Sequence, residues 1–357
     1  MIIQYSREKY LGTFITLWIF LFLGNNYSWA NAAQPGIWNA GGTVFTMLYP
    51  EDSVAFKKVQ MEQEEIYIQL YKGYAVVKGV YLFRNTSGKD LRFKMGYPVN
   101  GIYAGGAVDL NEVLLDSLSR FKIRAGGNWL PLLKEAHPEL NHDEKSPIPS
   151  GDNWMVWEMA FGAEEAKTVE VYFLVNTNEA GIRSGYNHER KNAFIYLLES
   201  GSVWRQPIEK GQFYVQLMDG LTLKDLHGLS AGFGFRYNES HRLFSGQKLD
   251  FSPTPKDNLV ATYYSRMENF LFDPVASKAD SLFTKIDAMH ILPLQTLVYT
   301  NVETGDPYQV ETTFWGALPG LITLFVIVAP FLIGLIFILI VVWAIVRWRR
   351  IQKERKK

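Results

Sequence analysis

The chain has 357 residues, no cysteine, and 36 basic side chains against 36 acidic ones. Without thiols, disulfide frameworks, thiolate metal sites and cysteine catalysis are excluded, and an exported chain of this size without disulfides points to a bacterial source. The tail Arg347–Lys357 carries +6 and residues 1–30 carry +1, so the neutral total leaves −7 on residues 31–346, which speaks against nucleic acid or anionic lipid as the main partner.

The N-terminus reads in three parts. Arg7 and Lys9 give a positive start, Leu11–Leu23 is an apolar run, and small residues follow at Ser28, Ala30 and Ala32. Thirteen helical residues reach about 20 Å, short of the roughly 30 Å hydrocarbon core. Residues 1–32 are therefore read as a signal peptide cleaved after Ala30 or Ala32, with an uncleaved anchor as the alternative.

Residues 33–45 are rich in Gly and Ala and read as irregular. Ile66, Ile68 and Leu70 alternate with Tyr67 and Gln69, and Val76, Val80 and Leu82 continue the period of two after the turn at Lys72–Gly73. Leu91, Phe93 and Met95 resume it beyond Asn85–Lys89, so three consecutive antiparallel strands are expected. Asn111–Leu118 is the one stretch of the body read as helical. Arg120–Ala125 and Trp129–Leu133 flank Gly126–Gly127–Asn128, a hairpin turn. Trp154–Phe161 and Thr168–Val175 read as two strands joined across Gly162–Glu165, and Phe194–Leu198, Gln212–Met218 and Leu259–Tyr264 as later ones. Lys134–Asn153 and Asn176–Asn192 are polar and read as long loops, the places where a β scaffold most often carries function.

Residues 317–346 hold no charge and are dominated by Leu, Ile, Val and Phe from Leu321 onward. This is long enough for a transmembrane helix. Trp315, Trp343 and Trp348 sit where interfacial aromatics are expected, and the basic cluster that follows places residues 347–357 in the cytoplasm. Pro330 and Gly334 lie inside the span, and Gly316 and Gly320 have the spacing of a helix-pairing motif.

The expected fold class is mainly β: an antiparallel β-sandwich ectodomain of one or two β units plus a single C-terminal transmembrane helix. The abundance of aromatic residues, 15% of the chain, fits that class. The first unit spans 33–177, a second unit or extension 178–275, and a membrane-proximal segment 276–316.

Three segments together resemble a known group. They are Ile66–Ile68 with Val80–Asn85 and Tyr97–Pro98, the hairpin Phe121–Leu132, and Tyr196–Trp204 followed by Pro207–Ile208. Over about residues 60–265 the chain resembles a family of uncharacterised bacterial secreted β-rich proteins. Members begin with a signal peptide and some end in a membrane anchor. The resemblance implies topology and fold class, and it transfers no activity.

No phosphate-binding glycine loop, His-Glu-x-x-His or Gly-x-Ser-x-Gly element is present. The glycine-rich Gly105–Asp109 reads as a loop. His137, His142, Asp143 and Glu144 share the first polar loop with donor types that suit zinc or calcium, but their spacing fits no tight motif. His188–Glu189–Arg190 occupies the second loop, and His227, His241 and His290 stand alone. Glu62, Glu64 and Glu65 form one acidic cluster, and Glu164 with Glu165 lies at a turn. Trp154–Trp157 and Tyr263–Tyr264 offer rings for sugar stacking or, more ordinarily, for the core. Asn85 and Asn238 head glycosylation sequons. No catalytic, cofactor-binding or metal-binding residue is assigned, and no cofactor is expected. The expected function is a non-catalytic, membrane-anchored envelope protein that binds a protein partner or an envelope polymer. The alternatives are an envelope hydrolase acting on glycan or peptide, and a sensor acting through a partner helix.

Overall fold

A computed structural model of the chain describes residues 36–43, 46–47, 57–98, 102–105, 111–114, 118–136 and 154–355. The segment read as an export signal, with its cleavage sites, and residues 137–153 of the first polar loop lie outside the described residues. Among the described residues the strands form three sheets. The largest runs in the order Thr300–Asn301, Arg236–Asn238, Leu243–Phe251, Ile208–Leu217, Val59–Tyr71, Tyr74–Asn85, Ala166–Asn176, Leu118–Ala125 and Asn128–Trp129. A second runs Leu226–Leu229, Leu259–Ser265, Asn187–Tyr196, Gly181–Ser184, Gly36–Thr43, Asn111–Leu114 and Ile102–Gly105. A third holds Leu133–Glu135, Trp154–Phe161, Leu91–Pro98 and Thr46–Met47.

The two longest strands, Val59–Tyr71 and Tyr74–Asn85, form the hairpin that the period of two predicts. Gly73 turns it at φ +91°, and a Cβ there would lie 2.5–2.7 Å from Phe270 and Met267, so both conformation and space demand glycine. The third expected strand, Leu91–Pro98, forms but does not extend this meander. It pairs with Trp154–Phe161 in the third sheet, while Ala166–Asn176 takes the place beside Tyr74–Asn85. Asn85 explains the crossing. Its fully buried amide donates to the carbonyls of Lys89 (2.7 Å) and Gly162 (2.8 Å), and its oxygen accepts from Ser87 N. One side chain thus fixes both corners where the chain leaves one sheet for another.

Four expectations are corrected. Asn111–Leu118 is not helical: Asn111–Leu114 is a strand beside Gly36–Thr43, and Leu118 opens a strand of the largest sheet. Residues 36–43, read as irregular, form that partner strand. Asn176–Asn192 is not a long loop: Gly181–Ser184 and Asn187–Tyr196 pair as a hairpin. The pairing is not wholly antiparallel either. Ile208–Leu217 runs parallel to Val59–Tyr71, and Gly36–Thr43 runs parallel to both Asn111–Leu114 and Asn187–Tyr196. Parallel neighbours need long connections, and here each connection is an excursion through another sheet. Strands on both sides of residue 177 therefore share sheets.

The main core is built from all three sheets, with Ile66, Tyr81, Phe83, Phe93, Trp157, Phe173, Phe194, Trp204 and Phe213 among its buried members. The opposite face of the largest sheet is covered too. The helix Ala279–Ile291, inside the segment read as a leader to the membrane, lays Leu282, Phe283, Ile286 and Met289 on Tyr67, Tyr71, Val76, Tyr172 and Leu174. Each such side chain contributes roughly 1.5–3 kcal/mol of burial.

The last element is the helix Phe314–Glu354. Thr313 starts it, its side-chain oxygen accepting from Gly316 N at 3.0 Å. From Leu318 onward it is long and apolar enough to cross a membrane, it runs through Pro319 and Pro330, and none of its most apolar window is buried.

Candidate functional site

The strand Val59–Tyr71 changes its facing partway along. Val59 and Met61 point into the core; a bulge between Met61 and Gln63 then resets the alternation, so Glu64, Ile66, Ile68 and Leu70 point inward instead. The bulge thereby aims a carboxyl into the protein interior. Glu64 is 2% exposed, and its Oε1 has no hydrogen-bond partner among the described residues.

The cross-strand register builds a polar row around it. Tyr81 lies opposite Glu64 on one side, Gly211 on the other, and Lys248 lies beyond Gly211. From the facing sheet Tyr196 brings its hydroxyl to that of Tyr81 at 2.7 Å, and Tyr97 of the third sheet joins the same group. Burial pushes the Glu64 carboxyl up to about 8, with the Lys248 ammonium pulling the other way. Burial likewise raises the Tyr81, Tyr97 and Tyr196 hydroxyls. Glu64 is therefore a neutral acid at pH 7. The gap at Gly211 is filled by rings: a Cβ there would meet Phe213 at 2.9 Å and Phe251 at 3.1 Å. Among the described residues these rings pack over the row, and Glu64 lies buried within it.

Lys248 at the end of the row also lines an open cleft of about 550 Å³. Leu229, Phe233, Pro307 and Tyr308 are among its apolar residues, and Lys248, Lys256, Asn258 and Asp306 among its polar ones. Lys248 is held by Asp257 at 2.6 Å and lies 4.9 Å over the Phe233 ring. Burial opposes the charge on Asp257, but hydrogen bonds from Lys248 and Thr254 outweigh it and hold the carboxyl below its usual range.

One wall of the cleft, Thr304–Tyr308, belongs to the strap that leads to the helix Phe314–Glu354. The strap runs along the edge strand Leu226–Leu229. Leu229 N donates to Gly305 O at 3.1 Å, Thr304 Oγ1 donates to Leu229 O at 3.2 Å, and Tyr308 OH donates to Asn111 Oδ1 at 2.8 Å. The approach is close enough to require glycine on both sides. A Cβ at Gly305 would sit 2.2 Å from His227 O, and one at Gly228 would sit 2.3 Å from Pro307 N. Further along, Glu311 N donates to Glu189 Oε1 at 2.5 Å, and Thr313 N donates to Asn187 Oδ1 at 3.0 Å. The wall of the cleft and the root of the helix Phe314–Glu354 are thus one fastened segment.

A second polar cluster clasps the helix Ala279–Ile291 to the largest sheet. Lys78, 3% exposed at its side chain, pairs with Glu170 at 3.1 Å and with Asp287 at 2.6 Å. Tyr172 OH lies 2.8 Å from an oxygen of each carboxylate and shares its one proton between them, and Arg124 reaches Glu170 at 2.5 Å. Burial opposes ionisation of Glu170, but the hydrogen bonds from Arg124, Lys78 and Tyr172 prevail and hold it at about 2. Beside the clasp is a shallower cleft of about 350 Å³, where His290 stacks on Tyr67 at 4.9 Å next to Glu65. Burial, then the Lys78 ammonium, keep the His290 imidazole below its ordinary value.

The residues singled out from the sequence fall mostly into structural roles. Trp154, Trp157 and Tyr263 are buried, and Tyr263 OH bonds Thr177 and Tyr71 O. Glu62 pairs with Arg84, and Glu165 accepts from Gly162 N. Asn85 and Asn238, heads of the two sequons, are 0% and 7% exposed and already bonded, Asn238 to Val298 O at 2.8 Å, so neither amide is free for a glycan. His188 is exposed on the second hairpin, His227 is exposed on the edge strand with only its backbone carbonyl facing Gly305, and His241 bonds Asn238. His137, His142, Asp143 and Glu144 lie outside the described residues. Lys248, Lys256 and the strap carried no motif, and Glu64 was seen only as one of three clustered acids.

No family model matches the chain, and no curated protein matches its sequence. Among solved structures, a "putative nutrient binding protein" from Legionella pneumophila is 11% identical, with a TM-score of 0.42 over 64% of this chain and 72% of that one. An M1 zinc metallopeptidase from Deinococcus radiodurans is 7% identical, with a TM-score of 0.30 over 58% of this chain. Leukotriene A4 hydrolase from Saccharomyces cerevisiae is 10% identical, with a TM-score of 0.32 over 58% of this chain. The chain spans 42% of the peptidase and 29% of the hydrolase.

Proposed function

We propose that the chain is a single-pass envelope protein whose β-sandwich body lies outside the cytoplasm and binds a protein partner or an envelope polymer without transforming it. The observation that carries this reading is the cleft beside Lys248 and Lys256. It joins an apolar floor to a rim of both signs, with Lys256, Asp306 and the Asp257-paired Lys248, a combination that suits an extended segment bearing polar and charged groups. The sequence carries no phosphate-binding glycine loop, His-Glu-x-x-His or Gly-x-Ser-x-Gly element, which favours binding over chemistry. The export signal and the basic tail support the orientation, with residues 347–357 inside.

A photo-crosslinker placed at Lys256 in native membranes tests the binding role. A specific adduct, lost on Lys248→Glu, is expected. Recovery of the uncrosslinked chain alone, with no glycan bound to the purified protein, would refute it. Sequencing the N-terminus of the same sample is expected to begin at Asn31 or Ala33.

A second reading, a sensor acting through a partner helix, is favoured by one feature: the wall of the cleft is continuous with the membrane helix. Exchanging residues 317–346 for an unrelated span should then preserve crosslinking at Lys256 and abolish the cellular response. Retention of both would leave the binding role alone.

A further inference from the structure

The hairpin Gly181–Ser184/Asn187–Tyr196 ends in a tight turn at Gly185, φ +61°, and Tyr186. Arg183 Nε stiffens it by donating to Gly185 O at 3.0 Å. The tip is bound to the root of the membrane helix. Asn187 Oδ1 accepts from both Thr313 N and Thr313 Oγ1, and a Cβ on Gly316 would fall 1.8 Å from that same oxygen. Asn187 and the first helical turn therefore have no space between them.

The position of Gly316 along the membrane normal follows from the helix itself. The first charge on the far side is Arg347, which marks the inner headgroup level. A bilayer with its headgroups is about 40–45 Å thick, or roughly 27–30 helical residues at 1.5 Å each. Counting back from Arg347 brings the outer headgroup level to about residue 317–320. Any tilt makes each residue cover less of the thickness and draws Gly316 deeper. Tyr186, one residue from Asn187, is 52% exposed, and Arg183 beside it is exposed as well. An exposed Tyr with a neighbouring Arg is the pair that bilayer interfaces favour.

We propose that the tip of this hairpin rests in the outer headgroup layer, with Tyr186 as an interfacial anchor and Arg183 facing lipid phosphate. The body then meets the membrane at two points, the helix and the hairpin, and cannot swivel freely about the helix axis. The proposal rests on the helix Phe314–Glu354 spanning the bilayer.

The cysteine-free sequence allows a clean test. Nitroxide labels are attached singly to Tyr186→Cys, Leu332→Cys and Lys89→Cys in the full chain, reconstituted in phosphatidylcholine vesicles. Lys89 is exposed at the end of the strand Tyr74–Asn85 away from Gly73, about 40 Å from the Gly73 turn. Collision rates with oxygen and with an aqueous nickel chelate are then measured. The label at 186 should meet the chelate several-fold less often than the label at 89, and the label at 332 should not meet it at all. Equal aqueous access at 186 and 89, with 332 protected, overturns the anchor. Aqueous access at 332 overturns the spanning reading instead.

Discussion

Replacing Glu64 with Gln keeps the volume and the hydrogen-bonding reach of the side chain and removes its titration. In the folded chain the carboxyl titrates near 8 instead of the ordinary 4.5. Between those two values the folded state holds a proton that the unfolded chain releases. Where the folded state binds more protons, stability falls as pH rises. The loss begins as pH passes the unfolded value and is complete above the folded one. At about 1.4 kcal/mol per unit, the wild type should lose about 3–4 kcal/mol relative to Glu64→Gln between pH 5 and pH 8. Urea unfolding of both full chains in detergent micelles, followed by tryptophan fluorescence at each pH, measures that difference. Groups common to both proteins cancel. A difference that stays flat within about 1 kcal/mol, larger than the usual extrapolation error, would show that the carboxyl is not sealed in the core.

Three further outcomes follow from other parts of the fold. Lys78→Met should cost roughly 3 kcal/mol, because Glu170 and Asp287 lose their shared cation. Glu170 is held at about 2, so its contribution is present above its ordinary 4.5 and is lost as pH falls toward 2; acid unfolding followed by circular dichroism should begin at higher pH in the variant. Gly228→Val should push the strap off its edge strand and speed proteolysis between residues 302 and 313 several-fold, while the main unfolding transition stays within a few degrees of wild type. Asn85→Ala should cost about 2 kcal/mol in the same urea assay, since it removes the two bonds by which one amide ties Lys89 and Gly162 together at both sheet crossings.

The strands of the body were legible where alternation is strict, as at Ile66–Leu70 and Val76–Leu82. Their partners were not, because pairing across sheets depends on corners such as Asn85, which reads locally as an ordinary turn residue. The helix Ala279–Ile291 was readable in principle: Leu282, Phe283, Ile286 and Met289 have helical spacing, which the polar residues between them obscured. Asn111–Leu118 failed for the opposite reason, its few apolar residues fitting either period. Glu64 could also have been found. Carrying the face of Leu70, Ile68 and Ile66 back by one more step reaches it, and a carboxyl on a core face is the signal. The facing of Val59 and Met61 could not have been, since it depends on a bulge. The cleft was invisible because its walls come from residues 229–233, 248–258 and 304–308, which no local pattern connects.

The strap has a consequence for how the protein is made. The edge strand Leu226–Leu229 is an open template for wrong pairing until residues 304–308 arrive to cover it. Those residues leave the ribosome just ahead of the helix Phe314–Glu354, well after the strand they cover. Until then the outer edge of Leu226–Leu229 stays unpaired, although its inner neighbour Leu259–Ser265 is already made. The close fit at Gly228 and Gly305 thus decides how quickly a late-arriving segment can guard an edge made long before it.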